Sequence, residues 1–141
     1  MMRGSITTDC TPVIVTGLSD GAVPFGAGLV ILSSGKVQVP DQAGQQFDGV
    51  AAVPEWYRPG LTEYDAGYPL SLLRKGRVWV YAETPVDPTK PVYLRHTANG
   101  TKTPGDFRTD DDGARADLIP RAKWAGGAIM PGMALLEINL P

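Results

Sequence analysis

The sequence predicts an all-β fold with little or no helix, and three observations lead to it. The 141 residues include 17 Gly and 13 Pro, and no stretch longer than eight residues lacks both. A typical helix needs about 11–12 residues, and an interior Gly or Pro costs it roughly 1 or 3 kcal/mol. Strands of about five or six residues fit these intervals. Several intervals also alternate apolar and polar residues, which is the pattern of a half-buried strand.

Composition narrows the class of protein. Hydrophobic residues make up 43% of the chain and charged residues 20%, which is typical of a globular domain. The net charge is −2 and no basic stripe occurs, so we expect no direct nucleic-acid binding. No apolar run approaches the roughly 18 residues of a membrane span, and the N-terminus lacks a signal-peptide profile. The single cysteine, Cys10, excludes an internal disulfide framework and fits assembly in a reducing cytoplasm.

The N-terminal segment, residues 1–12, is polar and lacks a core pattern, so it is predicted to be a flexible arm. Two roles remain open for it, a frayed terminus or an arm that orders against a neighbouring subunit. Val13-Ile14-Val15 is a β-branched run that predicts the first strand. Residues 13–141 are predicted to form a single all-β domain.

The next strands follow from short apolar runs. Leu29–Leu32 is continuously apolar, which predicts a strand covered on both faces. The alternating run Lys36–Val39 should close a hairpin with it across Ser33-Ser34-Gly35. Phe47–Val53 combines small residues with a Gly, which indicates a strand that another backbone approaches closely.

Residues 54–67 lack strand patterning yet contain Trp56, Tyr57 and Tyr64. Each aromatic side chain buries roughly 150–250 Å² when packed, so these three need a cover. Either they fold back on the edge of the sheet or they anchor a partner, and the sequence leaves both possibilities open.

The stretch Leu70–Arg95 is predicted to be a three-stranded antiparallel meander at the centre of the sheet. Arg74-Lys75-Gly76 indicates a turn between its first two strands. In the second strand, Val78 and Val80 share one face and Trp79 lies on the other. Truncation of Trp79 is predicted to damage folding. The sequence does not decide which of the two faces of this strand points into the core.

Asn99-Gly100 predicts a tight hairpin turn, and Met133–Leu140 predicts a C-terminal strand. In that last strand every second residue from Ala134 to Leu140 is apolar and shares one face. Eight or nine strands at a spacing near ten residues favour an antiparallel jelly roll, β-sandwich or barrel-like closure.

No residue pattern indicates catalysis. His96 is the only histidine, is predicted to lie at the surface, and cannot form a metal site alone. Asp110-Asp111-Asp112 fails the spacing of an EF-hand loop and is interpreted as a solvated loop. No glycine-rich segment has the lysine and helix of a phosphate loop. We therefore predict no catalytic, cofactor-binding or metal residues, and a protein that is not an enzyme.

The order of sequence blocks resembles the structural cement, or decoration, proteins of tailed-bacteriophage heads. The blocks that carry the resemblance are Pro24-Phe25-Gly26, Gly28-Leu29-Val30, Phe47-Asp48-Gly49-Val50-Ala51, Tyr68–Val80, Pro91-Val92-Tyr93-Leu94 and the closing apolar strand. The resemblance implies an all-β, β-tulip-like fold without catalytic residues. It also implies a self-associating protein on the outer capsid surface that clamps neighbouring capsid subunits against internal pressure.

The expected function is therefore that of a capsid cement protein on the virion, with the major capsid protein as partner. A homodimer is favoured and a trimer is possible. The alternative is a carbohydrate- or receptor-binding β-module of a phage tail or fibre, in which exposed aromatic residues would stack on sugars. An enzyme of the small-barrel kind would need a pocket with converging titratable groups. The candidate interface residues are Trp56, Tyr57, Tyr64, Tyr68, Tyr81, Met1, Arg3 and Ile6.

Overall fold

The computed structural model describes residues 2–7, 11–54, 56–126 and 132–141. These residues contain twelve strands and no helix, so the all-β prediction is confirmed. Within these ranges no helix has the length and hydropathy that a membrane span requires. In chain order the strands are β1 (Val13–Leu18), β2 (Val23–Pro24), β3 (Gly28–Ile31), β4 (Val37–Gln38), β5 (Phe47–Ala51), β6 (Glu63–Tyr64), β7 (Pro69–Ala82), β8 (Tyr93–Arg95), β9 (Phe107–Arg108), β10 (Ala116–Leu118), β11 (Ala122–Trp124) and β12 (Gly132–Asn139).

The long strand β7 organises the fold. Ten strands form one sheet around it, and β2 and β6 form a separate two-stranded sheet. The first half of β7 pairs with β1 and with β5, and its second half pairs with β12. Beyond β5 the sheet continues through β3 to β4, and beyond the end of β7 it continues through β9 and β8 to β10. Among the described residues this path is open and does not close into a barrel.

The turn predicted at Arg74-Lys75-Gly76 is wrong, because β7 runs through these residues as one strand of 14 residues. Gly76 has a φ of +130°, and Pro12 lies 3.3 Å from the place where a Cβ on Gly76 would sit. The residues that resemble a turn therefore mark a crossing point. The missing side chain of Gly76 lets Pro12 pass close to β7 on its way into β1.

The predicted three-stranded meander is also wrong. Its first two strands are the two halves of β7, and β8 pairs with β9 and β10. β9 lies between β8 and β7 and pairs with β7 in parallel, through Ala82 and Phe107. All the other strand pairs in the described residues are antiparallel. β8 follows β7 in the sequence but is not its neighbour in the sheet. The loop between them leaves the place beside β7 to β9.

Several local predictions are confirmed. β3 and β4 form the predicted hairpin, and β5 occupies the predicted Phe47–Val53 run. Gly49 in β5 has a φ of +143°, and a Cβ there would lie 2.4 Å from the carbonyl oxygen of Leu73. This is the close backbone approach that the small residues predicted. In β12 the residues at alternate positions from Ala134 to Ile138, followed by Leu140, are buried.

Two clusters of buried apolar side chains form the core, and β7 contributes to both. Leu70 and Leu72 belong to the smaller cluster, together with residues of β3, β4 and β5. Val78 and Val80 belong to the larger cluster, which includes the buried face of β12. Trp79 lies on the opposite face and is only half-buried. The sequence did not decide which face of this part of β7 points into the core. In the structure it is the face that carries Val78 and Val80.

The described part of the predicted arm, residues 2–7, lies along the second half of β7. The Gly4 amide donates to the Trp79 carbonyl at 2.7 Å, and the Trp79 amide donates to the Ser5 carbonyl at 3.0 Å. Ile6 forms an antiparallel bridge with Val78. Residues 2–7 therefore pair with the sheet of their own chain. Met1 and residues 8–10 lie outside the described residues. The flexibility of the arm and the domain boundary at residue 13 stay predictions.

Candidate functional site

Exposed apolar side chains concentrate on two neighbouring parts of the surface. Six of the eight exposed large hydrophobic residues in the described part of the chain lie on β1 or in the segment 56–68. They are Val13, Ile14, Val15, Leu18, Trp56 and Tyr68. Contiguous exposed apolar surface on a globular protein commonly marks an interaction site. β1 and the segment 56–68 are therefore the candidate site.

The segment 56–68 is held in place by Tyr64, which is buried in β6. The Tyr64 hydroxyl donates to the Ala52 carbonyl at 2.6 Å, and the Ser71 amide donates to the same hydroxyl at 3.3 Å. The Tyr64 ring packs edge-on against Phe25, with a centroid separation of 5.1 Å. Burial raises the pKa of the Tyr64 hydroxyl, so it stays neutral and acts as a structural anchor.

A cleft of about 610 Å³ opens beside this anchor. We call it the aromatic cleft, and its walls are Trp56, Arg58, Pro59, Gly60, Leu61, Thr62, Glu63, Tyr64, Asp65 and Tyr68. Trp56 is 51% exposed and Tyr68 is 52% exposed, although Trp56 also packs edge-on against Tyr64 at 6.2 Å. The lining of the cleft therefore combines two half-exposed aromatic rings with charged side chains, which suits contact with a partner protein.

The sequence left two possibilities for the aromatic residues of this segment: they fold back on the sheet, or they stay free to contact a partner. Each possibility applies to some of them. Tyr64 folds back fully and Tyr57 partly, with the Tyr57 ring 6.2 Å from that of Phe25. Trp56 and Tyr68 face outward. Tyr64 was a candidate interface residue, but it is 1% exposed and so cannot contact a partner in this conformation.

The remaining interface candidates are dispersed. Tyr81 is half-buried, and the guanidinium of Arg3 lies 5.9 Å from its ring centroid. Arg3 also pairs with Asp106 at 2.8 Å. Ile6 packs partly buried against the larger core cluster. Met1 lies outside the described residues. A contact of these residues with a partner stays a prediction, and the structure does not bring them into the aromatic cleft.

A buried ionic cluster was not found from the sequence. Arg95 Nε lies 2.8 Å from Glu83 Oε2, and Arg108 Nη1 lies 2.8 Å from Glu83 Oε1. The side chains of Arg95 and Glu83 are fully buried. Arg95 also donates to Asp112 at 2.6 Å, and Arg108 donates to Asp110 at 2.7 Å. Asp110 and Asp111 are exposed, as expected of a solvated loop, but the carboxylates of Asp110 and Asp112 also pair with buried arginines, which the sequence did not indicate.

One signal in the sequence points to this cluster. Arg95 and Arg108 each follow a buried apolar residue within a short strand, and neither strand has a fully exposed face. A charge in such a strand needs a buried partner. The partners are distant in the sequence, so the sequence alone does not identify them.

Acidification should weaken this cluster. Hydrogen bonds from Arg95 and Asn99 hold the pKa of Asp112 well below its ordinary value. A carboxylate of this kind stabilises the fold fully above its unfolded pKa of about 4, and this contribution is lost as the pH falls. We expect Asp112→Asn to lower the melting temperature at pH 7 and to lose less further stability on acidification than the parent. Asp111→Asn is the matched control, and a parallel pH profile for Asp112→Asn and parent would contradict this role.

His96 is buried, so its predicted surface position is wrong. Its Nδ1 lies 2.8 Å from the Thr97 hydroxyl, and its Nε2 lies 3.6 Å from a carboxylate oxygen of Asp117. Asp117 in turn accepts the Gly44 amide at 2.8 Å. The Gly44–Asp117 hydrogen bond joins the loop after β4 to β10. In the described ranges no group of three or more His, Cys, Asp or Glu side chains could hold a metal ion.

Comparisons with known proteins show a similar fold in one solved structure and a family match for the sequence. A chain in a solved structure described as "The capsid of Myoviridae Phage XM1" has a similar fold, with a TM-score of 0.79 at 14% identity. The similarity covers 99% of this chain and 90% of that chain. No curated protein matches the sequence. The model of the family described as "Structural cement protein (E217 gp24/Pam3 gp6)" matches residues 2–139. Because that match spans nearly the whole chain, the protein belongs to this family of phage structural cement proteins.

Proposed function

We propose that the protein binds the outer surface of an assembled phage head and bridges neighbouring subunits of the major capsid protein. The observation that carries this proposal is the family match over residues 2–139. The similar chain from a phage capsid structure supports it. A cement protein belongs to the virion and associates with capsid proteins. No observation favours the carbohydrate- or receptor-binding module of a tail or fibre.

The proposed role is structural and non-enzymatic. The family description as a structural protein supports it. The ionisable side chains that come together around Glu83 are joined in ion pairs, and they link β8, β9 and the end of β7. These ion pairs connect three segments of the sheet, and this supports a structural role for the charged groups.

The aromatic cleft is the proposed contact with the shell. Trp56 and Tyr68 are rigid, exposed aromatic side chains at a cleft that Tyr64 holds open. Aromatic residues are common energetic anchors at protein interfaces, since they bury much area at little entropic cost. Many copies on one lattice need only modest affinity each, because binding to the assembled state stabilises that state by mass action.

The proposed test of the function compares phage heads with and without added protein under heat or osmotic shock. We expect heads that carry the protein to survive stress that opens bare heads. Co-sedimentation measures how much protein the heads retain. Heads that bind the protein but gain no resistance to either stress would contradict the cement function.

Replacing both Trp56 and Tyr68 with alanine should weaken head binding by at least about tenfold, since each is a candidate anchor. The melting temperature should change little, because both side chains are exposed. Leu118→Ala is the matched control, since Leu118 is 58% exposed and lies on β10, outside the cleft. Equal head binding by the double variant and the control would place the shell contact elsewhere.

Self-association is a further part of the proposal, with a homodimer favoured and a trimer possible. The exposed apolar surface of β1 supports it, because the residues that line the neighbouring aromatic cleft include none from β1. A protein with one surface for the shell and another for its own copy can link two sites on the lattice. Sedimentation over a range of concentrations measures the stoichiometry.

A further inference from the structure

The outer edge of β1 carries unused backbone hydrogen-bonding groups. Among the strands of the described residues β1 pairs with β7 alone, in a register that places Val15 opposite Leu72 and Gly17 opposite Leu70. In the same register the Ser19 amide donates to the Tyr68 carbonyl at 3.1 Å. Backbone groups alternate between the two edges of a strand, so the odd-numbered residues of β1 face β7. The N–H and C=O groups of Ile14 and Thr16 face the opposite edge, where no strand of the described residues pairs with them.

This free edge is short and closed at both ends. At one end, Pro12 has no N–H to donate, so pairing cannot continue past it. At the other end, Ser19 forms a parallel bridge with Val37, and the Asp20 amide donates to the Val37 carbonyl at 2.9 Å. The edge open to another strand is therefore β1 itself.

The edge lacks the features that usually prevent strand pairing. Proteins protect exposed edges with lysines, prolines or covering loops. From Thr11 to Ser19 there is no charged residue. Val13, Ile14, Val15 and Leu18 are all exposed. An uncharged, apolar edge of this kind is a surface for another strand.

We propose that β1 pairs in antiparallel fashion with β1 of a second copy, around a two-fold axis at Val15. Ile14 then lies opposite Thr16 of the second copy, and Thr16 lies opposite its Ile14. These two residue pairs form four backbone hydrogen bonds. The two Val15 side chains meet at the axis as a non-hydrogen-bonded pair. This inference rests on the self-association proposed above and assigns it a surface.

Three properties favour a second copy as the occupant. Ile14 and Thr16 offer one donor and one acceptor each, two residues apart, and this pattern is complementary to itself. The uncharged edge sets no like charges against each other when two identical strands meet. The edge is also bounded at both ends, so it fits a strand of its own length. Pairing around a two-fold axis uses up both edges and stops at a dimer.

The proposed strand pair buries little surface, so the affinity of the dimer should be low. A strand pair of this length buries far less than the roughly 1,600 Å² of a standard stable interface. The dimer should therefore depend on concentration in solution. Two copies held side by side on a shell have a much higher effective concentration, which favours the same contact.

Disulfide trapping tests the axis directly. In a Cys10→Ser background, Val15→Cys places two thiols opposite each other, at a Cα separation of about 4.5 Å that a disulfide spans. Leu118→Cys is the control, since Leu118 is at least as exposed but lies on β10. We expect mild oxidation to give covalent dimers of the Val15→Cys variant at least tenfold faster than of the control. Equal rates would overturn the proposal.

Amide hydrogen exchange and an edge lysine give independent readouts. At high protein concentration the amides of Ile14 and Thr16 should become protected, while those of Val15 and Gly17, bonded to β7, are protected at any concentration. Thr16→Lys should abolish the dimer in sedimentation, and Ser33→Lys should not. Unchanged exchange at Ile14 and Thr16 in a dimer would overturn the proposal. Because these tests use isolated protein, a failure to bind heads would count against the cement function alone.

Discussion

Replacing Trp124 with alanine is expected to lower the free energy of unfolding by about 3–5 kcal/mol, the usual cost of truncating a buried aromatic side chain. Trp124 is 1% exposed and packs edge-on against Phe107, with 6.5 Å between ring centroids. Its Nε1 donates to the Pro91 carbonyl at 3.0 Å. The truncation thus opens a cavity in the larger core cluster and leaves an acceptor without its donor. Chemical denaturation should show this loss, with a melting temperature lower by on the order of 10 °C.

The other two tryptophans serve as matched controls. Trp56→Ala should change the free energy of unfolding by less than about 1 kcal/mol, because about half of Trp56 is in solvent and it lies outside both core clusters. Trp79→Ala should fall between the two, since Trp79 is half-buried on the outward face of β7. If all three variants lost similar stability, β11 would not be part of the core.

Replacing Glu83 with alanine should also cost about 3–5 kcal/mol, because it leaves two buried guanidinium groups without their shared carboxylate. Arg95 is fully buried and Arg108 is nearly so, and both reach Glu83 at 2.8 Å. Removing one member of a buried ion pair costs more than the pair contributes as a whole, since the remaining charge stays desolvated. Urea denaturation followed by tryptophan fluorescence measures the change.

Glu137→Ala is the matched control for Glu83. Glu137 accepts a hydrogen bond from Arg77 at 2.8 Å, but about a third of each side chain is exposed. A pair of this kind contributes about 0–1 kcal/mol in water. Glu83→Gln keeps the shape of the side chain and removes only its charge, so it should fall between the two. A Glu83→Ala variant no less stable than Glu137→Ala would contradict the structural role of the cluster.

Much of the strand content could be predicted, because the spacing of Gly and Pro is a local property. It limits every described strand except β7 to eight residues or fewer, and the alternation within β12 then identifies its buried face. The small residues of β5 likewise predicted a close backbone approach, and the position of Gly49 against Leu73 confirms it.

The path of the chain through Gly76 could not be predicted, because its cause is not local. Arg74-Lys75-Gly76 has the composition of a turn, yet β7 continues through it with strands on both edges. The strand continues here because it pairs with β1 and β12 and because Gly76 leaves room for Pro12 to pass. Each of these partners is distant in the sequence.

For the candidate site, too, the sequence predicted one part and could not predict the other. The sequence placed aromatic residues between Pro54 and Tyr68, but their local patterns are alike. Tyr64 is buried because its hydroxyl finds the Ala52 carbonyl and its ring finds Phe25. Trp56 and Tyr68 lack such cover and stay exposed. Burial depends on what lies opposite a side chain, and only the folded chain supplies that.

The sequence by itself determined an all-β domain of short strands, and its blocks pointed to the phage cement family. The tertiary structure decided which surfaces are free to act, the open edge of β1 and the aromatic cleft, and which charges are buried together around Glu83. The physical reason is the range of the interactions. Gly and Pro act on their own backbone. An edge, a cleft or a buried ion pair exists only where distant segments meet, as Glu83 and Arg108 do across 25 residues.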